Sequence, residues 1–404
     1  MKKLFMMLVL TMVYLQGNIS QFTDENYIAK LKEQKEVVLM FSSTWCGSCK
    51  KMKPIYKDLS TTWGNKIVFA SMDTDDNKRA AEKFEIRSVP TTIVFKDGKE
   101  IKREVGKLNK FELMYILDPK AALSSYEDEC KKGDNQACVN LGETYEEGKL
   151  VKKDYAKSLE LYTKACDNKS AKGCAYIAYL YAESMGVKQD NKKVVEYYTK
   201  GCDGDYGWSC NKLGDIYYYG YNSADINFKS AFKLFKKACD LGNSEACNGV
   251  GLCYHTGNGV KQDYAKAINF YTDACNQREM SACTNLAILY KQGKGIDANE
   301  NKALEFYKRA CKHDKNEIAA CASIAWLYMS GKQVKHDYKE ARSFAKKACD
   351  DKNILGCRLL GVLNSNGLGG EKDLKKAMDL YAFACENKDE QSCKNLDALA
   401  AKLK

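Results

Sequence analysis

Proline and histidine are both scarce: the 404-residue chain has three of each. So little proline leaves no room for proline-rich spacers, and there is no low-complexity tract. With 45% hydrophobic residues the composition is that of a globular, helix-rich chain. The histidines, His255, His313 and His336, are scattered and fit no metal signature, so neither a metal nor another cofactor is expected. Beyond the N-terminus no apolar run approaches the roughly 20 residues a spanning helix needs. Blocks of like charge are missing too. The net charge of +11 is spread at helical spacing among Glu and Asp, which reads as solvated helix faces and argues against a nucleic-acid partner.

The first residues, MKKLFMMLVLTMVYLQGNIS, place two lysines before an apolar run that ends near Leu15 and gives way to small and polar residues. Residues 1–20 are expected to be a secretory signal peptide, which makes the mature protein periplasmic or secreted, without a membrane anchor. Cysteine is abundant, and export sets its chemistry. Nineteen cysteines would stay reduced in a cytosol but pair in an oxidising compartment.

From residue 130 the cysteines fall into pairs: Cys130 and Cys138, Cys166 and Cys174, Cys202 and Cys210, Cys239 and Cys247, Cys275 and Cys283, Cys311 and Cys321, Cys349 and Cys357, Cys385 and Cys393. All are eight residues apart except Cys311 and Cys321, which are ten apart, and successive pairs start 36 to 38 residues apart. That period predicts helical hairpins that bury their apolar faces by stacking. Four residues after the second cysteine of the first seven pairs comes a small residue (Gly142, Ala178, Gly214, Gly251, Ala287, Ala325, Gly361), and seven after it a tyrosine, with Asn364 as the exception. Offsets of three, four and seven mark one helix face. Eight residues along one helix would span about 12 Å, yet disulfide Cα atoms lie within about 7 Å. Each pair therefore straddles a turn between helices, where a bridge stabilises by roughly 2.5 kcal/mol. Zinc is the alternative, but it prefers shorter spacing and four convergent ligands.

Segments such as ACVNLGETYEEGKLVKKDYAKSLELYTKACDNK resemble the Sel-like repeat family, relatives of tetratricopeptide repeats, in the cysteine-rich form exported by bacteria. Seven units are expected over 134–388, with a capping helix over 389–404. The resemblance implies a protein-docking surface. It also raises β-lactam binding or hydrolysis, which some cysteine-rich members are described as having. An SxxK spacing occurs at Ser230–Lys233 and Ser343–Lys346, but without the partner motifs such an enzyme uses. Cys253 is left over in a slot filled elsewhere by Leu180, Ile216 and Leu289, and reads as a small buried hydrophobe.

Cys46 and Cys49 differ from the rest, being two residues apart in SSTWCGSCKKMKP. An apolar run, EVVLMF, precedes them as a buried strand. A helix-like run with Pro54 as a kink follows, then a strand over 66–72, a helix over 78–84, a hairpin around KDG and a helix over 109–117. With Val89-Pro90, FKDGK and Gly106 in place, residues 21–118 resemble thioredoxin. The expected architecture is an α/β thioredoxin-like fold, a linker and cap over 119–133, then an all-α disulfide-stapled solenoid of helical hairpins. The resemblance implies that Cys46, exposed at a helix N-terminus, attacks and that a buried Cys49 resolves. Trp45, Val89 and a cis Pro90 would meet the substrate. The implied function is thiol–disulfide exchange on exported proteins bearing thiols or disulfides, with a non-catalytic adaptor as the alternative. Met40 stands where thioredoxins keep a buried Asp, Ser71 where they keep a lysine, and Ser48 where they keep a proline. The loss of that acid puts fast reductase turnover in doubt.

Overall fold

The computed structural model describes residues 19–221, 225–313 and 317–403. Residues 1–18 of the expected signal peptide fall outside that description; Ile19 and Ser20 lie inside it, and Ser20 opens the first strand of the sheet. The described residues divide into two compact units, one ending at Asn168 and the other beginning at Lys169.

The first unit is built on a five-stranded sheet. Its strands are β1 (Ser20–Gln21), β2 (Glu36–Ser42), β3 (Val68–Asp73), β4 (Thr91–Lys96) and β5 (Lys99–Val105), in the order β1-β3-β2-β4-β5. β1 and β2 run parallel to β3, while β4 is antiparallel to both β2 and β5. The central strand, β2, is apolar on both faces because both are covered. Val37, Leu39 and Phe41 point into one cluster with Tyr27 and Leu31 of α1 (Tyr27–Glu33). Val38 and Met40 point the opposite way, toward α2 (Gly47–Trp63), and both are fully buried. α2 seals that face with Cys49, Met52, Tyr56 and Leu59, a helical stripe. Tyr56 meets the ring of Phe69 edge-on at 5.8 Å and shares a hydrogen bond of 3.1 Å with Thr92. Pro54 sits inside α2 without ending it. α3 (Lys78–Lys83) follows β3, and Asp97 and Gly98 take positive φ in the β4–β5 turn. α4 (Lys110–Leu117) opens on a capping box between Asn109 and Glu112.

Residues 119–133, expected as linker and cap, hold a helix, α5 (Pro119–Lys131), with Pro119 in its first turn and Asp118 as its cap. α5 packs on α4 and on α6 (Asn135–Glu147), and α7 (Tyr155–Asp167) closes the first hairpin. The chain therefore runs from sheet to repeat through packed helix.

The second unit is helical throughout its described residues. Its hairpins are α8 (Ala171–Ala182) with α9 (Asn191–Asp203), α10 (Gly207–Tyr219) with α11 (Phe228–Asp240), and α12 (Ser244–Thr256) with α13 (Tyr264–Asn276). They continue with α14 (Met280–Gln292) and α15 (Glu300–His313), α16 (Ile318–Ser330) and α17 (Tyr338–Asp350), and α18 (Ile354–Asn366) and α19 (Leu374–Glu386), ending in α20 (Glu390–Leu403). Each helix packs on the next. The small residue of the repeat explains how closely they approach: a Cβ on Gly251 would lie 2.6 Å from the Tyr271 ring, and one on Gly361 would lie 2.6 Å from the Tyr381 ring.

Asp or Asn caps the second helix of the hairpins, as Asp190, Asn227, Asp263, Asp337 and Asp373 show, each accepting a backbone N–H of the first turn. The repeat cysteines straddle turns as their spacing demanded: Cα–Cα distances run from 4.5 Å at Cys349–Cys357 to 5.1 Å at Cys311–Cys321. Cys130–Cys138, Cys202–Cys210, Cys239–Cys247, Cys275–Cys283 and Cys385–Cys393 are bonded in the same way, and Cys166 and Cys174 are also disulfide-bonded.

Candidate redox site

Cys46 is the N-cap of α2. Its backbone is extended (φ −76°, ψ 105°), and its sulfur accepts the Cys49 backbone N–H at 3.1 Å. The first turn of a helix leaves N–H groups unpaired and positive, so a sulfur held there is favoured as a thiolate. Cys46 and Cys49 are joined in a disulfide with Cα atoms 5.3 Å apart. Cys46 was expected to be exposed. In the disulfide form only 5% of the residue is reached by solvent, against none of Cys49. The exposure at this end of α2 belongs to its neighbours, Thr44, Trp45, Gly47 and Ser48, with Trp45 71% exposed. The difference between the two sulfurs lies in the cap position more than in accessibility.

Val89-Pro90 is cis, Pro90 is buried, and its carbonyl accepts the Gly106 N–H at 2.8 Å. Met40 is fully buried and lies opposite Ser71 on one side and Thr92 on the other in the sheet register. Ser71 Oγ accepts from the Gln21 amide at 2.9 Å. The face of β2 beneath α2 therefore offers a thioether and hydroxyls where an ionisable pair was the family's expectation. A cleft of about 490 Å³ opens beside Met40, Ser42 and Ser71, walled by Lys50, Lys53, Pro54 and Lys57 of α2 and by Asp73. The sequence reading missed those lysines as a group, although their spacing of three and four residues was a visible signal.

The repeat residues singled out by sequence are dispersed. Ser230 lies in the first turn of α11 with its N–H on the Asn227 cap, and Ser343 lies on α17. The same SxxK spacing recurs at Ser48–Lys51 and Ser209–Lys212, on α2 and α10, as expected of chance in a lysine-rich helical chain. Cys253 is the free cysteine among the described residues; it is fully buried, and burial pushes its thiol up to about 12. The Tyr271 hydroxyl lies 3.4 Å from His255 Nδ1, and burial lowers the pKa of that histidine, helped by Lys294. The His336 ring lies 3.0 Å from the Gly331 carbonyl.

Comparison with known proteins agrees with both halves. The thioredoxin family matches residues 18–118. The Sel1 repeat family matches seven segments, at 135–170, 171–206, 209–243, 244–278, 281–315, 318–353 and 354–389. The chain belongs to the Sel1 repeat family and carries a thioredoxin domain ahead of its repeats. Thioredoxins of Staphylococcus haemolyticus and Staphylococcus aureus are 37% and 36% identical to it over 100 residues, which is 25% of this chain and 95% of each of theirs. Among solved structures it is similar to a protective antigen of uropathogenic Escherichia coli that displays an SLR fold, at a TM-score of 0.62 and 23% identity. That likeness covers 69% of this chain and 59% of the antigen's. A Sel1 repeat protein of Oxalobacter formigenes gives a TM-score of 0.57 at 22% identity, covering 69% of this chain and 80% of its own. These two likenesses concern the fold.

Proposed function

We propose that the chain is an exported protein thiol–disulfide oxidoreductase that works through Cys46 and Cys49, with its repeats as a docking surface for protein partners. The observation that carries this reading is the Cys46 sulfur at the N-cap of α2, hydrogen-bonded to the Cys49 N–H and within bonding reach of Cys49. In the reduced form the Cys46 thiolate attacks a substrate disulfide, forms a mixed disulfide and expels one substrate thiolate. The Cys49 thiolate then attacks the Cys46 sulfur, closes the 46–49 disulfide and expels the second substrate thiolate. Two electrons have passed to the substrate. With the 46–49 disulfide as the starting point and a substrate dithiol as the reductant, the same steps run backward.

Trp45, Val89 and Pro90 are the residues we assign to substrate contact. Export is supported by the leader-like first residues and by repeat disulfides that a reducing compartment would open. Met40 favours the slower of the thioredoxin-like behaviours, because among the described residues no carboxylate is buried to take the Cys49 proton.

The decisive experiment traps the intermediate. Cys49→Ser should accumulate mixed disulfides with exported proteins, seen as high-mass bands that thiols dissolve, and Cys46→Ser should not. Equal trapping by the two variants, or none by Cys49→Ser, would overturn the exchange mechanism and leave the adaptor reading in its place.

A further inference from the structure

Cys46, Lys50, Lys53 and Lys57 are spaced by four, three and four residues along α2, so they share one face of that helix. The adjoining stripe, Cys49, Met52, Tyr56 and Leu59, is the buried one. The three lysines are exposed and wall the cleft beside Met40, Ser42 and Ser71. None of them forms an ion pair among the described residues, whereas nearby Lys110 is bonded to Asp58 at 2.8 Å and Lys96 to Glu36 at 2.9 Å. A single carboxylate, Asp73, lines the same cleft, and one of its oxygens already accepts the Asp75 N–H at 2.9 Å. Asp75 is itself held by the Ser43 hydroxyl at 2.7 Å.

From this we infer that the lysine stripe of α2 is a substrate-docking surface, and that the preferred substrates carry acidic side chains beside the cysteine that reacts. The inference rests on the exchange reading of Cys46 and Cys49 and names the substrate class for that same site. Eleven residues of helix place Lys57 about 16 Å from Cys46, a distance that about five extended residues cover. Aspartates or glutamates within about five positions of the substrate cysteine therefore fall along the lysines as its sulfur meets Cys46. Solvated charges of this kind act chiefly on the rate of encounter and on partner choice. Such an effect is strong at low ionic strength and fades as salt screens it.

The test uses the full-length chain, mildly reduced and freed of reductant, in single turnover. Three peptides carry one cysteine blocked as a mixed disulfide with thionitrobenzoate, flanked by Glu, Gln or Lys. The Cys46 thiolate attacks the peptide sulfur and expels coloured thionitrobenzoate. The Cys49 thiolate then attacks Cys46 and releases the peptide thiolate, so two electrons leave the dithiol. The Glu peptide should react about tenfold faster than the Lys peptide at low ionic strength, with Gln between them and the spread closing near 1 M salt, where screening acts within about 3 Å. Joint replacement Lys50→Glu, Lys53→Glu and Lys57→Glu should reverse the order, and the three Lys→Arg changes should keep it. Release no faster than from the Cys46→Ser chain with any peptide would overturn the exchange reading, and this inference with it. Equal, salt-independent rates for all three peptides, or an unreversed order in the Glu variant, would overturn the docking surface alone.

Discussion

Asp215 on α10 keeps 27% of its side chain in solvent, with Lys212 Nζ 3.8 Å away and Glu245 beyond that lysine at 3.1 Å. Burial raises its pKa from 3.8 to about 6; Lys212 opposes the rise and Glu245 adds to it. Below about pH 4 the carboxyl is protonated in both the folded and the unfolded chain, so it contributes nothing to pH dependence. Between about pH 4 and 6 the unfolded chain releases this proton while the folded chain keeps it, so stability falls as pH rises. Above the folded value the penalty is constant, at most about 3 kcal/mol and smaller to the extent that solvent reaches the group. Asp215→Asn should remove this loss. The check is the urea midpoint of the wild type and the variant at pH 4.5 and 6.5: the wild type should gain more on acidification than the variant does. Equal gains would mean that Asp215 is solvated like a surface acid. Other single residues explain departures from the repeat. Asn364, where the other repeats have tyrosine, accepts Arg342 Nη1 at 2.7 Å, and the same guanidinium bonds the carbonyls of Leu363, Leu368 and Glu371. An arginine from the preceding helix, α17, thus caps the end of α18 where other repeats stack an aromatic ring, as Tyr328 does on Phe344.

Where two helices meet at a turn, the residues just before each cysteine decide how closely they approach. Most turns pair two small side chains, such as Ala238 with Ala246 and Ala274 with Ala282, all fully buried. At the α9–α10 turn the pair is Gly201 and Ser209: a Cβ on Gly201 would sit 2.2 Å from Ser209 Oγ, and that buried hydroxyl has no hydrogen-bond partner. Ser209→Ala removes an unsatisfied polar group and should be neutral or stabilising. Gly201→Ala alone overpacks the turn and should cost about 1–3 kcal/mol. The double variant, which installs the pair used by neighbouring turns, should recover part of that loss, because the Ala171 carbonyl and the Cβ at position 209 still lie 3.0 Å from the new methyl. Thermal unfolding of the four proteins completes the cycle; additive effects would show that the two positions do not touch. The composition of such a turn was not legible in the sequence, because Gly and Ser both read simply as small.

The hairpins themselves were legible, because an eight-residue spacing leaves a disulfide only one way to close and repeats itself along the chain. So were β2, α2 and the Asp-Gly turn, where strand, cap and turn chemistry agree. Three features were hidden. Cys46 is only 5% exposed in the disulfide form, the lysine face emerges only once α2 has a buried side, and Gly331 ends α16 in extended backbone (φ −63°) where Gly257 and Gly293 are left-handed.

At the scale of the molecule, the first compact unit ends at Asn168 and not where the thioredoxin resemblance stops. The reason is α4, whose outer surface is covered. Phe111 is 1% exposed, with its ring 4.7 Å from that of Tyr126 on α5, and Ala122 and Tyr126 are buried against this side. The Tyr115 hydroxyl donates to the Leu150 carbonyl beyond α6. A cleft of about 300 Å³ lies between Leu108, Phe111 and Ile116 on one side and Asn140 and Thr144 on the other. A chain cut after residue 118 loses these covers, and uncovering a phenylalanine alone costs about 2 kcal/mol. A fragment of residues 19–168 carrying Cys166→Ser should therefore unfold at a higher urea concentration than a fragment of residues 19–118. Its steeper denaturant dependence should reflect the added surface buried in the same cooperative transition. Both should exchange disulfides in single turnover when folded, since Cys46, Cys49 and α2 lie within the shorter piece. If the longer fragment instead unfolds in two steps, with its first step independent of the sheet, the first repeat is a separate body tethered to the thioredoxin domain. A single step means that the redox site and the first repeat fold as one piece, so a partner held by that repeat meets Cys46 at a fixed distance rather than at the end of a tether.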